Sequence, residues 1–190
     1  MLKPESEYGL VCGIDEAGRG PLAGPVCAAA VILPEEYDLP GLNDSKKLSP
    51  KARERLYDRI LKTAVTWGIG WADEKEIDRV NILQATFLAM ERALSRLDRT
   101  PDCAFVDGNR TPPLPVRVRC VVGGDGKYDC IAAASILAKV SRDRLMEELD
   151  GQYPGYGFAR HKGYGTKAHY EALRTLGLCP IHRRSFLKGL

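Results

Sequence analysis

The sequence predicts an α/β domain: a mixed sheet of five strands with helices on its faces and a helical extension toward the C-terminus. Three observations point there. Apolar runs of strand length recur five times, an apolar stripe at helical spacing falls between the third and fourth of them, and the element order reads strand, strand, strand, helices, strand, strand, helix. At 190 residues, 44% of them hydrophobic, the chain is expected to form one domain over 1–190 with a real core.

Residues 9–15 and 25–33 read as the first two strands, joined by the glycine-rich segment 18–24, and 64–71 as the third, giving an antiparallel meander. Before the third strand, Ser49 as N-cap and Pro50 at the first helical position start a helix that runs to Leu61. Asn81 and Gln84 form a capping pattern, after which Ile82, Leu83, Phe87, Met90, Leu94 and Leu97 trace one helical stripe, read as core. Strands return at 103–107 and 116–122, separated by a loop holding Pro112, Pro113 and Pro115. An alanine-rich helix follows from Asp129 to Leu149, then a Gly/Tyr-rich loop over 151–165, then a helix capped by Thr166 and ended by Gly177.

The net charge of +3 is unevenly spread. Residues 1–138 carry 18 Lys and Arg against 20 Asp and Glu, whereas 139–190 carry 10 against 5, together with all three histidines. A basic C-terminal quarter beside an acidic first part suits a polyanion that is both gripped and attacked, although a solvated basic surface would give the same counts. Six cysteines without a C-x-x-C pair read as small buried hydrophobes of a reducing compartment, and no zinc site is implied. No basic-then-apolar leader and no membrane-length apolar run is present, so a soluble, cytoplasmic monomer is expected.

Four acids carry the chemistry. Asp15 and Glu16 end the first apolar run, Asp107 ends Ala104-Phe105-Val106, and Asp125 follows Gly123-Gly124 after the last strand. Carboxylates converging from several strand ends repel one another, so hard divalent cations are expected between them, and oxygen-only ligation with open positions suits Mg²⁺ or Mn²⁺. Asp129 is a further acid nearby that metal binding could involve. Gly18 and Gly20 flank Arg19, allowing backbone to approach a ligand beside a cation that could hold a phosphodiester. Asn43, Ser45, Lys46 and Lys47 precede a helix N-terminus as a phosphate-holding segment, and Tyr164 stands between two glycines where it could stack on a base or sugar.

Taken together, Asp15-Glu16-Ala17-Gly18-Arg19-Gly20, Asp44-Ser45-Lys46-Lys47-Leu48, Val106-Asp107-Gly108-Asn109, Gly124-Asp125, the stretch from Ile131 to Val140 with Arg142-Asp143, and His161-Lys162-Gly163-Tyr164-Gly165-Thr166 resemble ribonuclease HII, the type 2 ribonuclease H. The strings run in family order across nearly the whole chain. The resemblance implies an RNase H-like fold and an endonuclease acting on the RNA strand of RNA/DNA hybrids and on ribonucleotide-containing duplex DNA. It puts Asp15, Glu16, Asp107 and Asp125 at the catalytic, metal-binding positions, with Asp125 favoured over Asp129 because Gly-Asp is the matching motif. Gly18, Arg19 and Gly20 match the segment that recognises the ribose 2′-hydroxyl, and Tyr164 the tyrosine that stacks on the following deoxyribose. The motif's start at residue 12 leaves no length for the N-terminal domain of the related type 3 enzymes, and Arg19 sits where those enzymes differ. A non-catalytic hybrid-binding module and another nuclease of the same fold are the alternatives.

Overall fold

The structure, a computed structural model, describes residues 1–4 and 6–187. The last three residues of the basic region expected over 139–190 therefore lie outside the described residues. Five strands, β1 (Val11–Ala17), β2 (Val26–Ile32), β3 (Thr66–Ala72), β4 (Cys103–Asp107) and β5 (Arg117–Val121), form one sheet in the order β3-β2-β1-β4-β5. β1, β2 and β3 pair antiparallel as the expected meander, while β1, β4 and β5 run parallel.

Five helices accompany the sheet: α1 (Pro50–Thr63), α2 (Glu74–Leu94), α3 (Asp129–Gln152), the single turn α4 (Phe158–His161) and α5 (Lys167–Leu176). Side chains alternate across the strands, so one set, including Ile14, Ala28, Ala30 and Val106, packs with α2. The other, including Cys27, Ala29 and Val31, meets α1 and α3. A Cβ on Gly13 would lie 2.1 Å from the Cys130 carbonyl carbon, so only glycine lets the first turn of α3 rest on β1. A separate cluster of Leu22, Met146, Tyr156, Phe158, Leu173 and Ile181 ties the C-terminal helices to the end of α3 and to the segment after β1.

Three expectations are corrected. The second long helix starts seven residues before Asn81, at a capping box made by Asp73 and Glu76. Asn81 interrupts it with φ 70°, and its Oδ1 accepts from the Leu83 and Gln84 N–H groups, so the predicted cap is a restart after a kink. The loop expected over 151–165 contains α4. β1 continues two residues past Asp15, because β2 offers Ala28 and Cys27 as pairing partners for Glu16 and Ala17. Asp15 and Glu16 thus lie inside the strand, on opposite faces of the sheet.

Candidate active site

The parallel strands bring their C-terminal ends to one edge of the sheet. Val11 is paired with Cys103 and Ile14 with Val106, so one further step places Asp15 beside Asp107. Neighbouring strand β2 leaves β1 on the other side, which makes the β1/β4 boundary the point where the strand order reverses, a recurrent ligand position in open sheets. Asp125 sits in a 3₁₀ turn, Gly124–Gly126, just after β5, and the Gly124 N–H at its start donates to Asp107 Oδ1 at 2.6 Å. Acids from three separate stretches of the chain are thereby brought to one edge by strand geometry.

Their environment is costly for charge. Asp15 is 4% exposed and Asp125 5%. Burial, then the charges of Glu16 and Asp107, push the Asp15 carboxyl well above the usual carboxylate range, and hydrogen bonds from Ser135 and the Glu16 N–H offset only part of this. Burial also raises Glu16, with Arg19 opposing it and Asp107 adding to it. Asp107 is raised by burial, opposed by the Gly124 N–H and reinforced by Asp125. The compensation present is cationic: Lys46 Nζ donates to Asp125 Oδ2 at 3.3 Å and Arg19 Nη1 to Glu16 Oε1 at 3.4 Å. Burial would lower Lys46, but Asp125 and Asp15 outweigh it and hold the ammonium above its usual range.

Among the described residues, no three His, Cys, Asp or Glu side chains stand close enough to hold a metal ion by themselves. The alternation along β1 explains this, since Asp15 and Glu16 approach the edge from opposite faces. An oxygen donor set with excess negative charge and no closed cage fits Mg²⁺ or Mn²⁺ carried on one or two carboxylates, with water and phosphate oxygens completing the shell.

The acids front a cavity of about 390 Å³ lined by Asp15, Glu16, Asp107, Gly18, Arg19, Gly20, Ser45, Lys46 and Tyr164. Nine of the twelve residues singled out in the sequence meet there. Asp125 stands behind Lys46, and the exposed Asn43 and Lys47 are not among the lining residues. Ser45 is buried, its hydroxyl 2.8 Å from that of Ser135, while Tyr164 is 44% exposed. Asp129 faces elsewhere: it accepts from Tyr37 and from the Cys130 N–H and lines a separate hollow with Lys3 and Pro34. A larger cavity, about 660 Å³, lies beside Cys179 and Arg184, but its Asp78 is already bonded to the N–H groups of residues 184 and 185, so size does not mark the site.

Sequence reasoning missed Ser135, Lys139 and Arg142, which also line the cavity. Their signal was available, because three polar residues spaced i, i+4 and i+7 in an otherwise alanine-rich helix share one face. Arg183 was missed as well. It is fully buried, and its Nη2 and Nη1 donate to the carbonyls of Gly18 and Arg19 at 2.6 and 2.9 Å, from a distance of 164 residues or more along the chain. No local pattern announces such a contact.

A family model described as Ribonuclease HII matches residues 12–188. A relative named Ribonuclease HII from Dechloromonas aromatica is 60% identical over 178 residues, covering 94% of this chain and 91% of that one. Another of the same name from Acetivibrio thermocellus is 56% identical over 182 residues, covering 96% and 71%. The crystal structure of ribonuclease H2 from Pyrococcus horikoshii superposes with a TM-score of 0.76 at 31% identity, covering 92% of each chain.

Proposed function

The chain belongs to the ribonuclease HII family, the type 2 ribonucleases H, and on that premise we propose that it hydrolyses the RNA strand of RNA/DNA hybrids and cuts duplex DNA 5′ of a single embedded ribonucleotide. The observation that carries this reading is one cavity lined both by carboxylates from β1 and β4 and by the 18–20 loop with Tyr164. Acids alone would serve any phosphodiester; the loop and Tyr164 supply a means of choosing the sugar.

In this reading Asp15, Glu16, Asp107 and Asp125 hold Mg²⁺ or Mn²⁺, which when bound lowers the pKa of an attacking water and neutralises charge developing on the leaving oxygen. Water adds to phosphorus, the P–O3′ bond breaks, and the products carry a 3′-hydroxyl and a 5′-phosphate. Ser135 orients the Asp15 carboxylate, and the Gly124 N–H orients that of Asp107. Lys46, shared between Asp125 and the cavity, is placed to reach a phosphate oxygen. Asn43, Ser45 and Lys47 complete the phosphate-facing segment. Gly18, Arg19 and Gly20 read the 2′-hydroxyl, which a deoxyribose cannot replace without leaving donors unpaired. Tyr164 packs on the sugar that follows.

Incubation with labelled duplex DNA containing one ribonucleotide tests the reading. The expected result is a single cut 5′ of the ribonucleotide in Mg²⁺ or Mn²⁺ and none in chelator. Binding without cleavage in any divalent cation, or equal cutting of an all-DNA duplex or junction, would overturn it.

A further inference from the structure

We propose that Arg183 is a positioning residue for sugar choice: it turns the Gly18 and Arg19 carbonyls inward so that the next two peptide N–H groups face the cavity. The inference rests on the reading of the 18–20 loop given above. Arg183 is wholly buried, and its rigid fork of donors is spent on three carbonyls of one loop: Gly18, Arg19 and, through Nε at 2.9 Å, Gly24. Across a trans peptide the C=O and the following N–H point in opposite directions. Drawing the Gly18 carbonyl onto Arg183 therefore turns the Arg19 N–H away from it, and drawing in the Arg19 carbonyl does the same for the Gly20 N–H. Among the described residues no peptide bond is cis. Among the described residues, neither N–H meets an acceptor in the protein. Gly20 lies against Tyr164, since a Cβ there would be 3.4 Å from its ring, and Arg19 and Gly20 line the same cavity as Tyr164.

The fork is itself held. The Arg183 N–H donates to the Leu22 carbonyl at 2.8 Å, and the next two backbone N–H groups, of Arg184 and Ser185, each donate to Asp78 on α2 at 2.9 Å. Arg142, on α3, adds a second buried fork that donates to the carbonyls of Ala23, Pro25 and Lys162. Its side chain passes 2.0 Å from where a Gly18 Cβ would be, and Gly18 has φ +96°, so this position accepts only glycine. An apolar side chain in place of Arg183 would fill the space without burying a cation, but it would leave the loop carbonyls without direction.

The test compares affinity for a duplex carrying one ribonucleotide with affinity for the all-deoxy duplex of the same sequence, in chelator and in Ca²⁺, with kcat and KM on the first duplex in Mg²⁺. Arg183→Met should cut the ribo-to-deoxy affinity ratio by about tenfold or more, Arg183→Lys should recover part of it, and Asp78→Asn should lower it a few-fold; affinity for the all-deoxy duplex should hold within about twofold. Gly20→Ala, within the loop itself, is the control. If the parent shows no ribo preference, or Gly20→Ala keeps it in full, the loop does not read the sugar and the inference falls with that reading. If Gly20→Ala loses the preference while folded Arg183→Met and Asp78→Asn keep it, the loop reading stands and Arg183 only supports the fold. Should Arg183→Met fail to fold, the ratios of Arg183→Lys and Asp78→Asn decide in the same way.

Discussion

The carboxylates at the strand ends and the two guanidiniums and two imidazoles that hold the 18–25 loop and the C-terminal segments bury their polar groups on opposite terms. Arg142 and Arg183 are respectively 1% and 0% exposed, and each spends three donors on backbone carbonyls. Burial lowers Arg142, and burial with the repulsion of Arg142 pulls Arg183 down to about 9, which leaves it cationic at neutral pH. His169 and His182 complete each other: His169 Nδ1 lies 2.9 Å from the Tyr164 carbonyl, the two Nε2 atoms are 3.0 Å apart, and His182 Nδ1 accepts from the Cys179 N–H. That chain closes with one proton on each ring. The carboxylates have no such closure. Their charge is met by two long, exposed cations, a hydroxyl and a few N–H groups, and their proton affinities rise accordingly. Buried polar groups that satisfy one another build structure, whereas those left in excess mark where something from outside binds.

The largest effect should come from the acid side. Asp107→Asn should lower cleavage at least about a thousandfold, equivalent to roughly 4 kcal/mol of transition-state stabilisation, while raising thermal stability slightly in chelator because it relieves repulsion. Turnover within tenfold of the parent would remove Asp107 from the centre of the site.

On the basic side the sign reverses. Arg142→Met leaves three carbonyls without a donor and should cost about 3–5 kcal/mol of stability, read by denaturant unfolding. A neutral effect would mean that this region is no better satisfied than the acids.

The pH dependence of stability separates the two regions. Burial pulls His182 to about 4 and lowers His169, so between about pH 6.5 and 4 the unfolded chain binds more protons and stability is lost as pH falls. For His182 alone this is on the order of 2 kcal/mol at pH 5. The carboxyls of Asp15, Glu16 and Asp107 are raised, so in chelator the native state holds their protons longer and stability is lost as pH rises above the ordinary carboxylate range. In chelator, His182→Gln should therefore weaken the loss of thermal stability toward acid, and Asp107→Asn should weaken the loss as pH rises. A curve unmoved by either substitution would contradict the contrast.

Tyr164→Ala should reduce cleavage of a lone ribonucleotide in DNA by about five- to a hundredfold, and a continuous RNA/DNA hybrid less, since a following deoxyribose exists only at the junction. Equal losses on both would make Tyr164 a packing residue of its loop. The smallest expected effect is at Lys47, exposed and outside the cavity lining. Lys47→Ala should weaken binding a few-fold for every sequence and reduce the slope of log affinity against log salt by about one, as measured by a salt titration.

Much of the molecule is local information. The Ser49-Pro50 start, the Thr166 cap and the Gly177 stop each rest on interactions within a few residues and appear where expected, and each strand-length apolar run forms a strand, with β1 running two residues further. The Asp73–Glu76 box was equally local and was overlooked in favour of Asn81, whose side chain caps in the same way one kink later. The acids, the 18–20 loop and Tyr164 were legible because unusual residues break apolar or glycine-rich runs. By itself, then, the sequence determined the element order, the two-faced sheet and the residue types at its strand ends. Tertiary structure alone decided that Glu16 and Asp15 approach from opposite faces, that Asp129 turns to Tyr37, and that Arg183 grips Gly18. These are through-space outcomes of strand order and chain return: a guanidinium finds its carbonyls only after the sheet and C-terminal helices have brought residues 18 and 183 together, and no spacing along the chain encodes that meeting.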